Sequence, residues 1–365
     1  MTYRSALEKA GHEVTLIVPR YHHDTDENRL IRIPSRRVPM DEEDRMMKAR
    51  DIRRTLPLLQ RTAFDILHIQ TPFVAHYAGI KLARQLGIVA VETYHTFFEE
   101  YLYHYIPHIP DAWLRFAARR LARSQCNAVD GLVVPSRAML DILRDYGVKT
   151  RAEVIPTGLD LSAFAGGKGE NFRRQHGIAL DRPTLVHVGR IAYEKNIGFL
   201  LHMLGVVKKT VPTVLLIIAG SGPAVGSLKK LVGTLGLSEH VMFVGYLDRK
   251  TELLDCYKAG DVFVFSSRTE TQGLVLLEAM ALGVPVVSTA VMGTKDILQP
   301  VMGALVAQED VHDFADKVVQ ILLDKNLRSS LGKQARYCAE QWSQPNMTRK
   351  MLDFYRQISR FGDDR

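Results

Sequence analysis

Two glutamates lie eight positions apart in the stretch Glu270-Thr271-Gln272-Gly273-Leu274-Val275-Leu276-Leu277-Glu278. Paired carboxylates invite a glycosidase reading, which needs them roughly 5–9.5 Å apart. Eight helical residues rise about 12 Å, so the spacing argues against that chemistry. The two groups are better placed to grip different ends of one long ligand. Glu270, in a loop, can accept hydrogen bonds from sugar hydroxyls, and Glu278, within a helix, from a ribose diol. The peptide N–H groups of Thr271, Gln272, Gly273 and Leu274 open that helix and can face a phosphate or a sugar. The plainer reading is a helix with a surface glutamate. It fits poorly, because Glu278 stands in an apolar run where an unpaired carboxylate is costly.

A second group supplies positive charge. Gly189-Arg190-Ile191-Ala192-Tyr193-Glu194-Lys195-Asn196 follows an apolar run directly. Gly189 permits close backbone approach, Arg190 can bind phosphate bidentately and Lys195 acts as a point charge. A helix starting near Asn196 adds its positive end. Taken alone, the segment reads equally well as a surface turn with solvated charges. Gly220-Ser221-Gly222-Pro223 is a Gly-rich turn, weak evidence by itself. His95 heads the aromatic segment Tyr94-His95-Thr96-Phe97-Phe98-Glu99-Glu100-Tyr101. A lone histidine is more often structural than catalytic, and the aromatics here serve equally as packing residues. Asp24-Thr25-Asp26, near His22, His23 and Glu27, has the form of a metal-holding triplet but lies in a polar loop and reads as solvated.

These residues need elements to hold them. Near-continuous apolar runs predict strands at Val14–Val18, Ile66–Ile69, Val89–Thr93, Gly131–Val134, Thr184–Val188, Val214–Ala219, Val241–Val244, Val262–Phe265 and Pro285–Ser288. Helical stretches alternate with them, which argues for βαβ units and doubly wound α/β sheets. The pattern occurs twice. The break falls near Ile155-Pro156-Thr157-Gly158, and the Gly-rich Ala165–Gly169 reads with it as an interdomain linker. The predicted organisation is therefore an N-terminal domain over 1–157, a C-terminal domain over 158–340, and a helical segment over 341–365 that packs back on the first domain. Ligands of open α/β sheets bind at the carboxyl ends of strands, where the groups above are found. The chain opens in a helix that leads to Val14–Val18, so the first domain is expected to lack its own first strand.

Composition narrows the class. At 365 residues, two cores are expected. Hydrophobic content of 46% and charged content of 24% are those of an ordinary globular protein. No run of about 18 apolar residues offers a membrane span, and no signal-peptide pattern opens the chain. Cys126, Cys256 and Cys338 are far apart and odd in number, which suggests a reducing cytosol. The net charge of +8 suits anionic partners, but it is spread over both halves and accompanies no nucleic-acid motif. The stretch Trp113–Arg123 is basic, amphipathic and aromatic. It can lie in an anionic membrane interface or present a solvated basic side over a core-facing one.

Arg190 with Lys195, and Glu270 and Glu278 with seven residues between them, together resemble the donor-site signature of glycosyltransferase family 4. The likeness runs over nearly the whole chain and includes the strand at Gly283–Val287 after the glutamate helix. It implies the GT-B fold, with two Rossmann-like domains facing across a cleft, and a retaining transfer from a nucleotide-activated sugar. By this resemblance Arg190 and Lys195 neutralise the donor diphosphate, Glu270 holds the transferred sugar and Glu278 holds the ribose. Gly220 lies beside the diphosphate, and Gly245 and Tyr246 meet the nucleobase. His95 matches a histidine that reaches the donor, with Glu99 and Tyr101 on the acceptor side. The pattern is most similar to bacterial diacylglycerol glucosyltransferases, which implies UDP-glucose as donor substrate, a lipid acceptor, a peripheral place on the inner face of the cell membrane, no tightly bound cofactor and no required divalent metal. Two other readings stand beside this one: a sugar-nucleotide epimerase on the same scaffold, and an inactive sugar-nucleotide-binding protein truncated at its N-terminus.

Overall fold

The computed structural model describes residues 2–21, 28–38, 41–95, 111–299 and 302–363. The chain divides into two units, one formed by 1–156 with 347–365 and the other by 157–346.

The first unit begins with the helix Thr2–Lys9 and the strands β1 (Leu16–Pro19), β2 (Leu30–Ile33), β3 (Ser35–Val38) and β4 (Asp41–Met47). β1 and β2 pair in parallel, while β3 and β4 form an antiparallel hairpin. A separate parallel sheet follows in the order β5 (Ile66–Ile69), β6 (Val89–Thr93), β7 (Gly131–Val134), β8 (Ala152–Val154). Val91 and Val133 of this sheet are buried under Met347, Met351, Phe354 and Ile358 of the last helix, Gln344–Asp363. That helix places one apolar side chain every three or four residues, so a single stripe covers the sheet.

The second unit carries a six-stranded sheet, all parallel: β9 (Thr184–Val188), β10 (Leu215–Ala219), β11 (Val241–Gly245), β12 (Val262–Phe265), β13 (Val286–Ser288) and β14 (Ala304–Val306). Their spatial order is β11-β10-β9-β12-β13-β14. Alternate residues feed two cores. Leu185, Leu216, Ile218, Val262, Val264 and Val287 pack with the helices Ile197–Thr210 and Val311–Leu323. Val186, Ile217, Phe263, Phe265 and Val286 face the helices Glu252–Ala259, Leu274–Ala281 and Lys325–Gln341. Burial on both faces explains why these strands read as unbroken apolar runs.

The Gly-rich Ala165–Gly169 is not a linker. It lies inside the second unit, where a side chain at Gly169 would stand 2.1 Å from the carbonyl oxygen of Lys258. Glycine is needed there for close packing on the helix Glu252–Ala259, not for flexibility. The strands β2, β3, β4, β8 and β14 lie outside the apolar runs that predicted the others.

Candidate donor site of the second unit

The strand order of the second unit reverses between β9 and β12, the place where doubly wound sheets open a crevice for ligands. The two charged segments predicted to act together leave from the carboxyl ends of those two strands. β9 runs into Gly189 and the exposed Arg190, then a 3-10 turn over Tyr193–Lys195. Asn196 takes a left-handed conformation (φ 55°), which turns the chain into the helix Ile197–Thr210. β12 runs through the buried Ser266 and Ser267 to Glu270 and the helix Leu274–Ala281, entered at Gly273. Lys195 Nζ donates to Glu270 Oε2 at 2.7 Å, with both side chains about one-fifth exposed.

The loops after β9 and β10 lie directly on one another. Ile191 N–H donates to Ser221 O at 2.9 Å, and Gly220 N–H to Gly245 O at 2.7 Å. A Cβ at Gly220 would stand 1.9 Å from the carbonyl oxygen of Gly189, at a backbone φ of 133°. Gly220 thus sets the height of the Gly189–Arg190 turn. Beneath it, His187 is fully buried in β9. Its Nδ1–H donates to Val264 O at 3.1 Å, which leaves Nε2 as a neutral acceptor. Burial lowers its pKa to about 4, offset in part by that hydrogen bond and reinforced by the Lys195 charge.

Glu278 is buried, its side chain 4% exposed. Both carboxylate oxygens are engaged: Oε1 accepts from Arg249 Nη2 at 2.6 Å, and Oε2 from the Tyr257 hydroxyl at 2.8 Å. Burial raises its pKa, and Arg249 opposes that rise. Sequence reasoning missed both partners. Arg249 lies in a turn shaped by Asp248, whose carboxylate accepts from the N–H groups of Lys250 and Thr251 at 3.0 and 3.1 Å. Asp248-x-x-Thr251 is a readable turn signal. The carboxylate that Arg249 meets, 29 residues on, is not. Tyr246, beside the turn, is 76% exposed.

The Gln272 side chain faces the backbone rather than the crevice. Its Oε1 accepts from Thr157 N–H at 2.9 Å and its Nε2 donates to Thr157 O at 2.8 Å. The loop after β13 supports the same turn, where Gly293 N–H donates to Glu270 O at 2.8 Å.

In the first unit, His95 follows β6 and its Nε2–H donates to Gln70 Oε1 at 2.9 Å. His95 is exposed by area, yet the adjoining protein lowers its pKa by desolvation, so the ring is neutral at pH 7. Nearby, His68 is fixed between Tyr355 of the last helix (2.5 Å) and Thr93 (2.7 Å). Glu99 and Tyr101 lie outside the described residues, as does Asp24-Thr25-Asp26. The basic stretch predicted over Trp113–Arg123 is the core of the helix Asp111–Cys126. Trp113 and Phe116 are 72% and 64% exposed, and Arg115, Arg119, Arg120 and Arg123 line a groove of about 1020 Å³ beside Tyr146. Among the described residues, no helix is long and apolar enough to cross a membrane.

Comparison with known proteins gives the family and the fold. Residues 2–163 match the model for Glycosyltransferase Family 4, and residues 168–337 that for Glycosyl transferases group 1. The chain is 35% identical to alpha-monoglucosyldiacylglycerol synthase of Streptococcus pneumoniae, over 97% of this chain and 80% of that one. Among solved structures, sucrose-phosphate synthase of Thermosynechococcus elongatus superposes with a TM-score of 0.76 at 24% identity, covering 98% of this chain and 91% of that one. Anabaena HepE in complex with UDP-glucose superposes with a TM-score of 0.69 at 17% identity, covering 83% and 80%. A doubly wound α/β chain with its charged groups at the strand reversal, matched by family models over 2–163 and 168–337, is a family 4 glycosyltransferase of the GT-B fold.

Proposed function

We propose that this enzyme moves glucose from UDP-glucose to the hydroxyl of a diacylglycerol-type lipid, with retention at the anomeric carbon. The observation that carries the reading is the meeting of Lys195 and Glu270 at the strand reversal, 2.7 Å apart. A cation for the leaving diphosphate and a carboxylate for the sugar hydroxyls stand at one place, where the bond to be broken joins those two parts of the donor. Arg190 adds a second cation at the same mouth. The bond from the anomeric carbon to the diphosphate oxygen breaks, the acceptor oxygen bonds to that carbon on the same face, and the acceptor proton passes to the departing diphosphate. The protein's share is positioning and charge stabilisation. Glu278 accepts from the ribose diol, while Gly245 and Tyr246 adjoin the base. His95, neutral and able to donate or accept, is the first unit's candidate for the same reaction.

Lipid as acceptor is supported by the named activity of the Streptococcus pneumoniae relative and by the helix Asp111–Cys126. Exposed Trp113 and Phe116 beside four arginines suit an anionic interface, which supports a peripheral position on a membrane surface. The test is a transfer assay with a panel of sugar nucleotides against diacylglycerol in vesicles and against soluble sugars, with the anomeric configuration read by NMR. Glucosyl-diacylglycerol of α configuration is expected. Free UDP-glucose epimerised without acceptor, or transfer confined to soluble sugars, would refute the proposal.

A further inference from the structure

The two partners of Glu278 are unlike. Tyr257 is fully buried, its ring 5.6 Å from that of Phe263, and its hydroxyl has nowhere else to go. Arg249 comes from the turn after β11 with its side chain 66% exposed. A guanidinium so exposed is rehydrated at once on leaving, at small cost. The carboxylate is in the opposite position. At 4% exposure it cannot be left with an empty oxygen without a large penalty, so whatever removes Arg249 must itself supply a donor.

On the reading that Glu278 meets the donor's ribose, we infer that Arg249 is an exchangeable counter-ion: a diol hydroxyl takes Oε1 from the guanidinium while Tyr257 keeps Oε2. No bond other than hydrogen bonds changes, and the charge on Glu278 is conserved throughout. The arrangement has two consequences. Burial raises the carboxylate's pKa, and Arg249 counters part of that rise until the nucleotide arrives. It also makes the site selective. A ribose offers two adjacent hydroxyls to one vacated oxygen, whereas a 2′-deoxyribose offers one and replaces a charged donor poorly.

The experiment is calorimetric binding of UDP and of 2′-deoxy-UDP to the full chain and to Arg249→Ala, Arg249→Lys and Glu278→Gln, at mildly alkaline pH so that Glu278 is ionised in each arginine variant. The diphosphate contacts are common to all, so ratios isolate the ribose end. Glu278→Gln is expected to weaken UDP at least about tenfold. Arg249→Ala is expected to bind UDP about fivefold more tightly, since no ion pair must be displaced, with Arg249→Lys between it and the parent. 2′-Deoxy-UDP is expected to bind more weakly than UDP to the parent. If Glu278→Gln weakens UDP while Arg249→Ala weakens it too or leaves it unchanged, the exchange is refuted and the ribose reading stands. If Glu278→Gln has no effect, the ribose reading itself falls. Thermal unfolding of each variant shows that it is folded.

Discussion

The ammonium of Lys195 and the carboxylate of Glu270 neutralise each other across the strand reversal, with Nζ 2.7 Å from Oε2. Each is thus held where the other needs it. The pair is partly exposed, so its worth to stability is small, about 1 kcal/mol or less. In the proposed reaction its worth to catalysis is of another order, because charge develops on the departing diphosphate. Lys195→Ala is expected to lower kcat/KM for the sugar nucleotide by roughly 10²–10³-fold with an almost unchanged melting temperature. A variant that melts normally and transfers at the parental rate would remove Lys195 from the chemistry.

Gly220 supports the turn that carries Arg190. A methyl group there would press into the Gly189 carbonyl at 1.9 Å, in a backbone conformation of φ 133°. Gly220→Ala is expected to destabilise the second unit by about 2–4 kcal/mol and to weaken UDP binding in step. Gly226, in the helix Val225–Thr234, has nothing within 4 Å of its would-be Cβ. Gly226→Ala is expected to raise stability by about 0.5–1 kcal/mol and to leave binding alone. Denaturant unfolding of the two variants checks both signs.

What the sequence could convey follows from range. β5, β6, β7, β9 and β12 occupy the apolar runs that predict them, residue for residue, since a buried parallel strand writes itself in consecutive positions. The β3–β4 hairpin does not: Ser35-Arg36-Arg37-Val38 and Asp41–Met47 are largely charged, and only their pairing makes them strands. At the site, Arg190, Lys195, Glu270 and Glu278 resemble a donor-site signature by type and spacing, but their partnerships are non-local. Gln272 is read as a donor contact through its peptide N–H at the helix entrance; that its side chain is taken by Thr157, 115 residues earlier, is not legible in the sequence. Asp310 contrasts with these as a local contact, its carboxylate accepting from the N–H groups of His312 and Asp313 immediately beyond it.

On the proposed lipid reading, the helix Asp111–Cys126 offers two kinds of contact to a membrane, and they can be separated. Trp113 and Phe116 are exposed apolar bodies, while Arg119 lies 5.4 Å over the Tyr146 ring in the arginine-lined groove. Trp113→Ala with Phe116→Ala is expected to reduce binding to vesicles of any headgroup. Arg120→Glu with Arg123→Glu is expected to abolish only the preference for anionic over zwitterionic vesicles, an effect that fades with added salt. Vesicle co-sedimentation measures both. Equal binding of all variants would assign this face to solvent.

His187 ties the stability of the second unit to pH. Its pKa falls from 6.5 to about 4 on burial. Between those values the unfolded chain carries a proton that the folded one does not, so the unfolded state binds more protons and stability drops as pH falls. The contribution is whole above pH 6.5 and declines by about 1 kcal/mol per pH unit down to about 4, where the folded ring protonates as well. His68, lowered to about 3, acts in the same direction in the first unit. The chain's two tryptophans separate the units, Trp113 in the first and Trp342 in the second. In a Trp113→Phe background, Trp342 fluorescence during urea unfolding is expected to show a midpoint that falls steadily from pH 7 to pH 4.5. His187→Gln keeps a donor for Val264 O and has nothing to titrate, so it is expected to flatten that dependence by about 1 kcal/mol per pH unit. An unchanged slope would show that His187 does not set the acid limit of this unit.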